Sequence, residues 1–379
     1  MQPIGVFKVS LMEREGAHGM NETARLTGRG RNADWPSAIP AKGWKDIAWR
    51  VWTNINEHRV MLIAAGVTFY LLLALFPALA AFVSLYGFVA DPVTVGDHIS
   101  FLAGFLPSAS LDLINAQLEA LAEQRPEALS FGFVLGFLIA LWSANNGIKS
   151  MFEAMNVANE ESEKRSFIRL SLVSFCFTLG AMFLAIAFIF TVGVVPAILA
   201  LLRLDDFGPM LIAALRWPAM LLVIVTGISL LYRFGPSRER AKWRWLSWGA
   251  CIASVVWIVT SLGFSFYLQN FADYNATYGS LGAVIGFMMW TWISAMIVIV
   301  GAEINAEMEH QTALDTTTGA DLPMGDRGAT MADTLGKPAE THAPDKHLNG
   351  EPTQGKAHIG VLAAAAVVMM AIPVLHRVR

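Results

Sequence analysis

Six apolar stretches punctuate the chain, at roughly 60–90, 129–147, 170–200, 211–232, 247–269 and 281–303, with polar segments between them. A hydrocarbon core about 30 Å thick is crossed by about 20 helical residues, and a helix satisfies its backbone polar groups within the segment. The pattern predicts an all-α integral membrane protein, a six-transmembrane-helix bundle over residues 60–310. The first stretch is longer than one crossing and contains Pro77, which lacks a backbone donor, so it reads as a tilted or kinked span. A seventh run, 359–375 (IGVLAAAAVVMMAIPVL), is shorter and Ala-rich, a marginal hydrophobic tail helix.

Two further stretches carry helical rather than continuous apolar spacing. In KGWKDIAWRVWTNINEHR (42–59), Trp44, Ile47, Val51 and Ile55 recur along one face while Lys45, Arg50 and Arg59 point elsewhere, as in an amphipathic helix on an anionic leaflet. In SASLDLINAQLEALAEQ (108–124), Leu111, Ile114, Leu118 and Leu121 share a face, which predicts an amphipathic helix on the opposite surface. Residues 1–41 and 311–358 are polar and nearly free of apolar periodicity. They are expected to be a disordered cytoplasmic N-terminus and a disordered cytoplasmic linker.

Composition strengthens the membrane assignment. Of 379 residues, 55% are hydrophobic and only 15% charged, against about a quarter charged in soluble domains. Mean hydropathy is +0.50. Net charge is −3, so nothing in the bulk charge points to nucleic acid. The distribution of charge is more telling. The segment before Val60 and the loops 148–169 and 233–246 hold eighteen Lys and Arg, and the loops 91–128, 201–210 and 270–280 hold two. The positive-inside rule then places the N-terminus and the end of the sixth span on the cytoplasmic side. Insertion of 359–375 would put His376, Arg377 and Arg379 outside, against that rule; a tail lying in the interface is the alternative.

Chemistry-bearing patterns are few. No removable signal sequence stands at the N-terminus, and Cys176 and Cys251 form no CxxC pair. HExxH and GxSxG are lacking, and GRGRNA near residue 28 follows no strand, so it makes a poor dinucleotide fingerprint. Neither a metal nor a cofactor is expected, and the chain is read as a non-enzyme. Polar groups at membrane depth are the candidates instead, because each is costly there. Asn145 and Asn146 end the second stretch, beside Gly147, and either cap that helix or bond across to neighbours. Arg216 sits inside the fourth and either snorkels toward Asp205 and Asp206 or meets an anion in a cavity. Glu303 closes the sixth, with Asn305 beside it and Glu307 one turn on; Lys149 and Arg169 are the expected partners, in a salt bridge or in proton or ion coupling. Gly279, Gly282 and Gly286, with Pro77, read as helix-packing positions, the last two glycines forming a GxxxG pair.

Four ordered segments carry a resemblance: AAGVTFYLLLALFPALAAFVSLYG (64–87), LWSANNGIKSMFEAMN (141–156), YGSLGAVIGFMMWTW (278–292) and GAEINAEME (301–309). Over roughly residues 45–310 the chain resembles the YihY/BrkB family of bacterial inner-membrane proteins. The resemblance implies six spans, cytoplasmic termini and work in the cell envelope, since some members are linked to lipid export or serum resistance. The family's older ribonuclease BN label is regarded as a misassignment, and no established catalytic set can be carried over. Matching positions are Pro77, Asn145, Asn146, Tyr278, Gly279, Gly282, Gly286, Glu303 and Asn305. The expected function is transport or flipping of an envelope lipid or amphipathic precursor, with a membrane scaffold or assembly factor as the alternative. Expected partners are membrane lipids and either further copies of the chain or envelope proteins, with no nucleic acid.

Overall fold

The computed structural model describes residues 28–86, 126–183, 207–270 and 281–339. The described residues are helical, and β-type pairing among them is one isolated bridge, Ala241 to Thr317. After a short turn at Pro36–Ala38 come α1 (Ala41–Glu57), α2 (Val60–Tyr86), α3 (Pro126–Ala158) and the apolar helix α4 (Phe167–Phe183). Then follow α5 (Phe207–Phe234), α6 (Trp243–Asn270), α7 (Gly282–Glu309) and a single turn, α8 (Thr330–Asp333).

Among the described residues, three stretches are long and apolar enough to cross a membrane: Val60–Ala78 of α2, Trp243–Leu268 of α6 and Gly282–Glu309 of α7. Phe167–Phe183 and Leu221–Phe234 are shorter apolar helices. Leu62, Phe69, Leu138, Leu222, Val259 and Leu262 all lie on the outside of the bundle. In water such a surface would be an aggregation liability; in lipid it is the ordinary solvent-facing side. The buried residues are small where helices meet, with Ala64, Ala154, Ala250, Ala295 and Ala302 in one cluster with Met155, Leu246 and Ile299. Small side chains let backbones approach, and dispersion then replaces the hydrophobic drive that lipid cannot supply.

Helix α7 is the hub, packing on α6, α2, α1, α3 and α8. Its indoles and hydroxyls tie it laterally: Trp292 Nε1 donates to Met61 O (3.0 Å) and Trp257 Nε1 of α6 to Ser294 Oγ (2.9 Å). Two glycines set the α6–α7 spacing. A Cβ on Gly249 would lie 2.5 Å from Gly301 O, and one on Gly301 would lie 2.8 Å from Ala253 Cβ. Gly282 and Gly286 are buried in the first turns of α7, and Gly279 lies outside the described residues.

Several expectations need correction. The segments read as disordered are ordered over 28–39 and 311–339, where they fold together beneath the ends of α1 and α7. Composition misled because this order rests on polar bonds and little on apolar area. Arg327 donates to the carbonyls of Leu322, Leu314, Ala332 and Ala313. Asp315 accepts from the Thr317 and Leu322 amides, and Arg31 donates to Gln311 O (3.2 Å). Helix α1 differs in its face: Arg50, expected to point away, is buried with Ile47, Val51 and Asn54, and Ile47 and Val51 pack on Trp245 and Met308. Helix α3 runs on to Ala158, so Asn145, Asn146 and Gly147 lie within it and cap nothing. Helix α2 continues through Pro77, in keeping with a single span that holds an internal proline. The helix expected over 108–124, the loops 91–128, 201–210 and 270–280 in their greater part, and the tail 359–375 lie outside the described residues.

Candidate functional site

The C-terminal end of α7 and the residues after it read GAEINAEMEHQ, and three of them, Glu303, Glu307 and Gln311, stand four apart. On α1 and its C-cap, Arg50, Asn54 and His58 stand four apart as well. Residues at this spacing lie one above another on a helix face. The two rows meet in antiparallel order. Arg50 Nε donates to Glu307 Oε2, and its Nη2 donates to Gln311 Oε1 (2.8 Å) and Glu307 O (3.2 Å). Asn54 Nδ2 bridges the two carboxylates, 2.9 Å from Glu307 Oε1 and 3.4 Å from Glu303 Oε2. His58 Nδ1 lies 2.7 Å from Glu303 Oε1.

Burial makes these contacts consequential. The Glu303 side chain is 0% exposed and that of Arg50 is 7% exposed. A carboxylate removed from water in this way must be paired or protonated. His58, half-buried and outside the spans, has its pKa raised above the ordinary 6.5. The hydrogen bond to Glu303 is the main cause, aided by the negative fields of Glu303, Glu160 and Glu307 and opposed by desolvation. The Glu303–His58 contact is thus a short bond able to hold one proton between two ionisable groups at the end of an apolar span.

Around this ladder the pairing continues. Glu309 takes Arg238 (2.6 Å) and Thr316 Oγ1 (2.8 Å), and Asp46 takes Arg29 (2.8 Å). Asn305, on the opposite side of α7 from α1, clamps α6: Gly249 N–H donates to its Oδ1 (2.9 Å) and its Nδ2 donates to Leu246 O (3.1 Å). Of the two partners expected for Glu303, Lys149 is engaged elsewhere, with Ser171 Oγ (3.1 Å) and over the Phe167 ring, and Arg169 is exposed. Asn145 and Asn146 belong to α3 and share no hydrogen bond with the ladder among the described residues. Among those residues Asn145 Oδ1 and Ser143 Oγ are buried without a hydrogen-bond partner, within the turn before Gly147, where an added Cβ would lie 3.6 Å from Tyr70 Cβ. Arg216 lies on α5, and its side chain is outside the described residues. Among the described residues, no group of three or more His, Cys, Asp or Glu gathers as metal ligands.

Sequence reasoning found Glu303 and Glu307 but not Arg50, Asn54 or His58. The signal was the four-residue recurrence of polar groups on two helices, complementary in reverse order. The α1 row was obscured because its residues looked like the solvated side of an amphipathic helix.

Most of this arrangement, from Asn54 onward, falls within a region recognised in other proteins: a sequence model of the Virulence factor BrkB family matches residues 51–323. The chain belongs to that family. The match takes in α1 from Val51 and the ordered segment after α7 as far as Pro323, and Arg50 stands just before it. Among its relatives is the ribonuclease-like protein YfkH of Bacillus subtilis, 32% identical over 276 residues, 70% of this chain and 95% of that one. Another is the UPF0761 membrane protein VV0203 of Vibrio vulnificus, 25% identical over 261 residues, 68% of this chain and 81% of that one. UPF0761 membrane protein NMB0524 of Neisseria meningitidis is 27% identical over 269 residues, 69% of this chain and 63% of its own length. No solved structure matches the chain. The relatives named UPF0761 make this a membrane-protein family.

Proposed function

We propose that this protein is a multi-pass protein of the bacterial inner membrane, with six spans and a cytoplasmic N-terminus, that facilitates transport or flipping of an envelope lipid or amphipathic precursor. The six described helices α2 to α7 coincide with the six apolar stretches, and the eighteen-to-two distribution of Lys and Arg supports the orientation. One observation carries the reading of function: Glu303, wholly buried at the end of a span, shares a short hydrogen bond with His58, which belongs to the junction between α1 and α2. Proton gain or loss at such a pair changes the charge holding α1 and α2 to α7, and that is what coupling to an ion gradient requires.

The test is leaflet transfer in proteoliposomes made with the purified full chain and a headgroup-labelled phospholipid, with a quencher added outside. Transfer faster than in protein-free vesicles, and faster still under an imposed pH gradient, is expected. Equal rates with and without protein would rule the reading out.

The completeness of the pairing favours a second reading, a static scaffold for envelope assembly. Arg50, Asn54 and His58 partner the two carboxylates, and the Gly249–Gly301 approach locks α6 to α7. A scaffold predicts stable co-purifying envelope proteins and no leaflet transfer.

A further inference from the structure

A groove of about 230 Å³ opens beside the ladder, walled by Trp52 and Ile55 of α1, Val256 of α6, and Met296, Val300 and Gly301 of α7. Its lining is almost wholly apolar, and two of its three walls belong to candidate spans. An apolar hollow does not hold water, because water there would lack hydrogen-bond partners. Since α6 and α7 are immersed in lipid, the medium available to fill it is hydrocarbon. Its third wall, α1, changes chemistry along its exposed side. Trp52, Asn56 and Arg59 follow one another there at helical spacing, with Trp52 half-exposed and Arg59 on the surface. Arg59 adopts a positive φ of 52° between two lining residues, Asn56 and Val60. A non-glycine residue pays for that backbone, and here the residue is a cation at the edge of the groove. An aromatic ring and a cation beside an apolar slot are complementary to a phospholipid with its phosphate at the surface and a chain below.

We propose that the groove between α1, α6 and α7 is a binding site for one acyl chain of an anionic phospholipid whose phosphate is held by Arg59. The site depends on the lipid-handling reading only for the class of its ligand. The volume takes a segment of one chain and excludes a whole lipid, so the second chain stays in the bilayer. Val256, 43% exposed, forms its rim.

Photo-crosslinking tests this on the full chain in nanodiscs containing phosphatidylglycerol with a diazirine on one acyl chain. Label is expected on peptides bearing Trp52–Met61 and Ile252–Val256, in excess over the outward face of α6 at Val259. Even labelling over all exposed faces would overturn the site, and this mapping on the unaltered chain decides without any variant. Val256→Trp should then fill the rim and abolish groove labelling, whereas Val259→Trp, one turn along and 63% exposed, should not. Arg59→Gln should erase the preference for phosphatidylglycerol over phosphatidylcholine, and an unchanged preference would overturn the headgroup assignment. Dissociation of a dimer by Val256→Trp, without groove labelling in the parent chain, would assign the groove to a second copy and overturn the proposal. Groove labelling without leaflet transfer keeps the site and removes the transport reading. Transfer that persists without groove labelling does the reverse.

Discussion

At the scale of single residues, the ladder between α1 and α7 makes its members unequal. Arg50 donates to Glu307 twice, to Gln311 and to Lys337 O, all in buried or half-buried surroundings. Removing one partner of a buried pair strands the other, so Arg50→Ala should lower unfolding free energy in detergent by about 3–5 kcal/mol. A loss within the scatter of surface substitutions, about 0.5 kcal/mol, would show the pair to be water-exposed. His58 gives the pH dependence. Its pKa is raised in the folded state, so its stabilising contribution is fully present below the ordinary 6.5 and is lost as pH rises through the raised value. Thermal unfolding in detergent across that range should show a decline in stability that His58→Gln flattens. An identical pH profile in the two proteins would detach His58 from the Glu303 contact.

At the scale of elements, the α6–α7 contact is governed by absent side chains. Gly249→Ala forces a Cβ against Gly301 O and the Asn305 amide, and overpacking of this kind costs about 1–3 kcal/mol. Gly263→Ala, with open space around the new Cβ, should be neutral or slightly stabilising in the same melt. Equal behaviour of the two variants would remove the close approach. The spans were legible in the sequence because length and hydropathy are local properties: α2, α6 and α7 begin within a few residues of the apolar stretches that predict them. Order over 311–339 was illegible for the opposite reason. Thr312 binds Ala33 O and Gln311 binds Arg29 O, partners some 280 positions away, and a polar segment reveals no such partner by composition. The glycines of the α6–α7 contact were hidden for a similar reason: Gly249 and Gly301 sit on separate helices, where no spacing rule such as GxxxG connects them.

Over the whole molecule, the folded cap of residues 28–39 and 311–339, the helix α1 and the inner ends of α6 and α7 form one polar assembly at one end of an apolar bundle. The central claim is that this assembly couples a proton to movement of a lipid or amphipathic molecule through Glu303. The most direct measurement compares leaflet transfer by the parent chain and Glu303→Gln in proteoliposomes under an imposed pH gradient, at matched amounts of folded protein. Glutamine keeps the shape and can still accept a hydrogen bond from His58, but it cannot take up or release a proton. The account predicts transfer reduced to the rate of protein-free vesicles, with folding retained in detergent. Parent-like, gradient-dependent transfer by Glu303→Gln would contradict it.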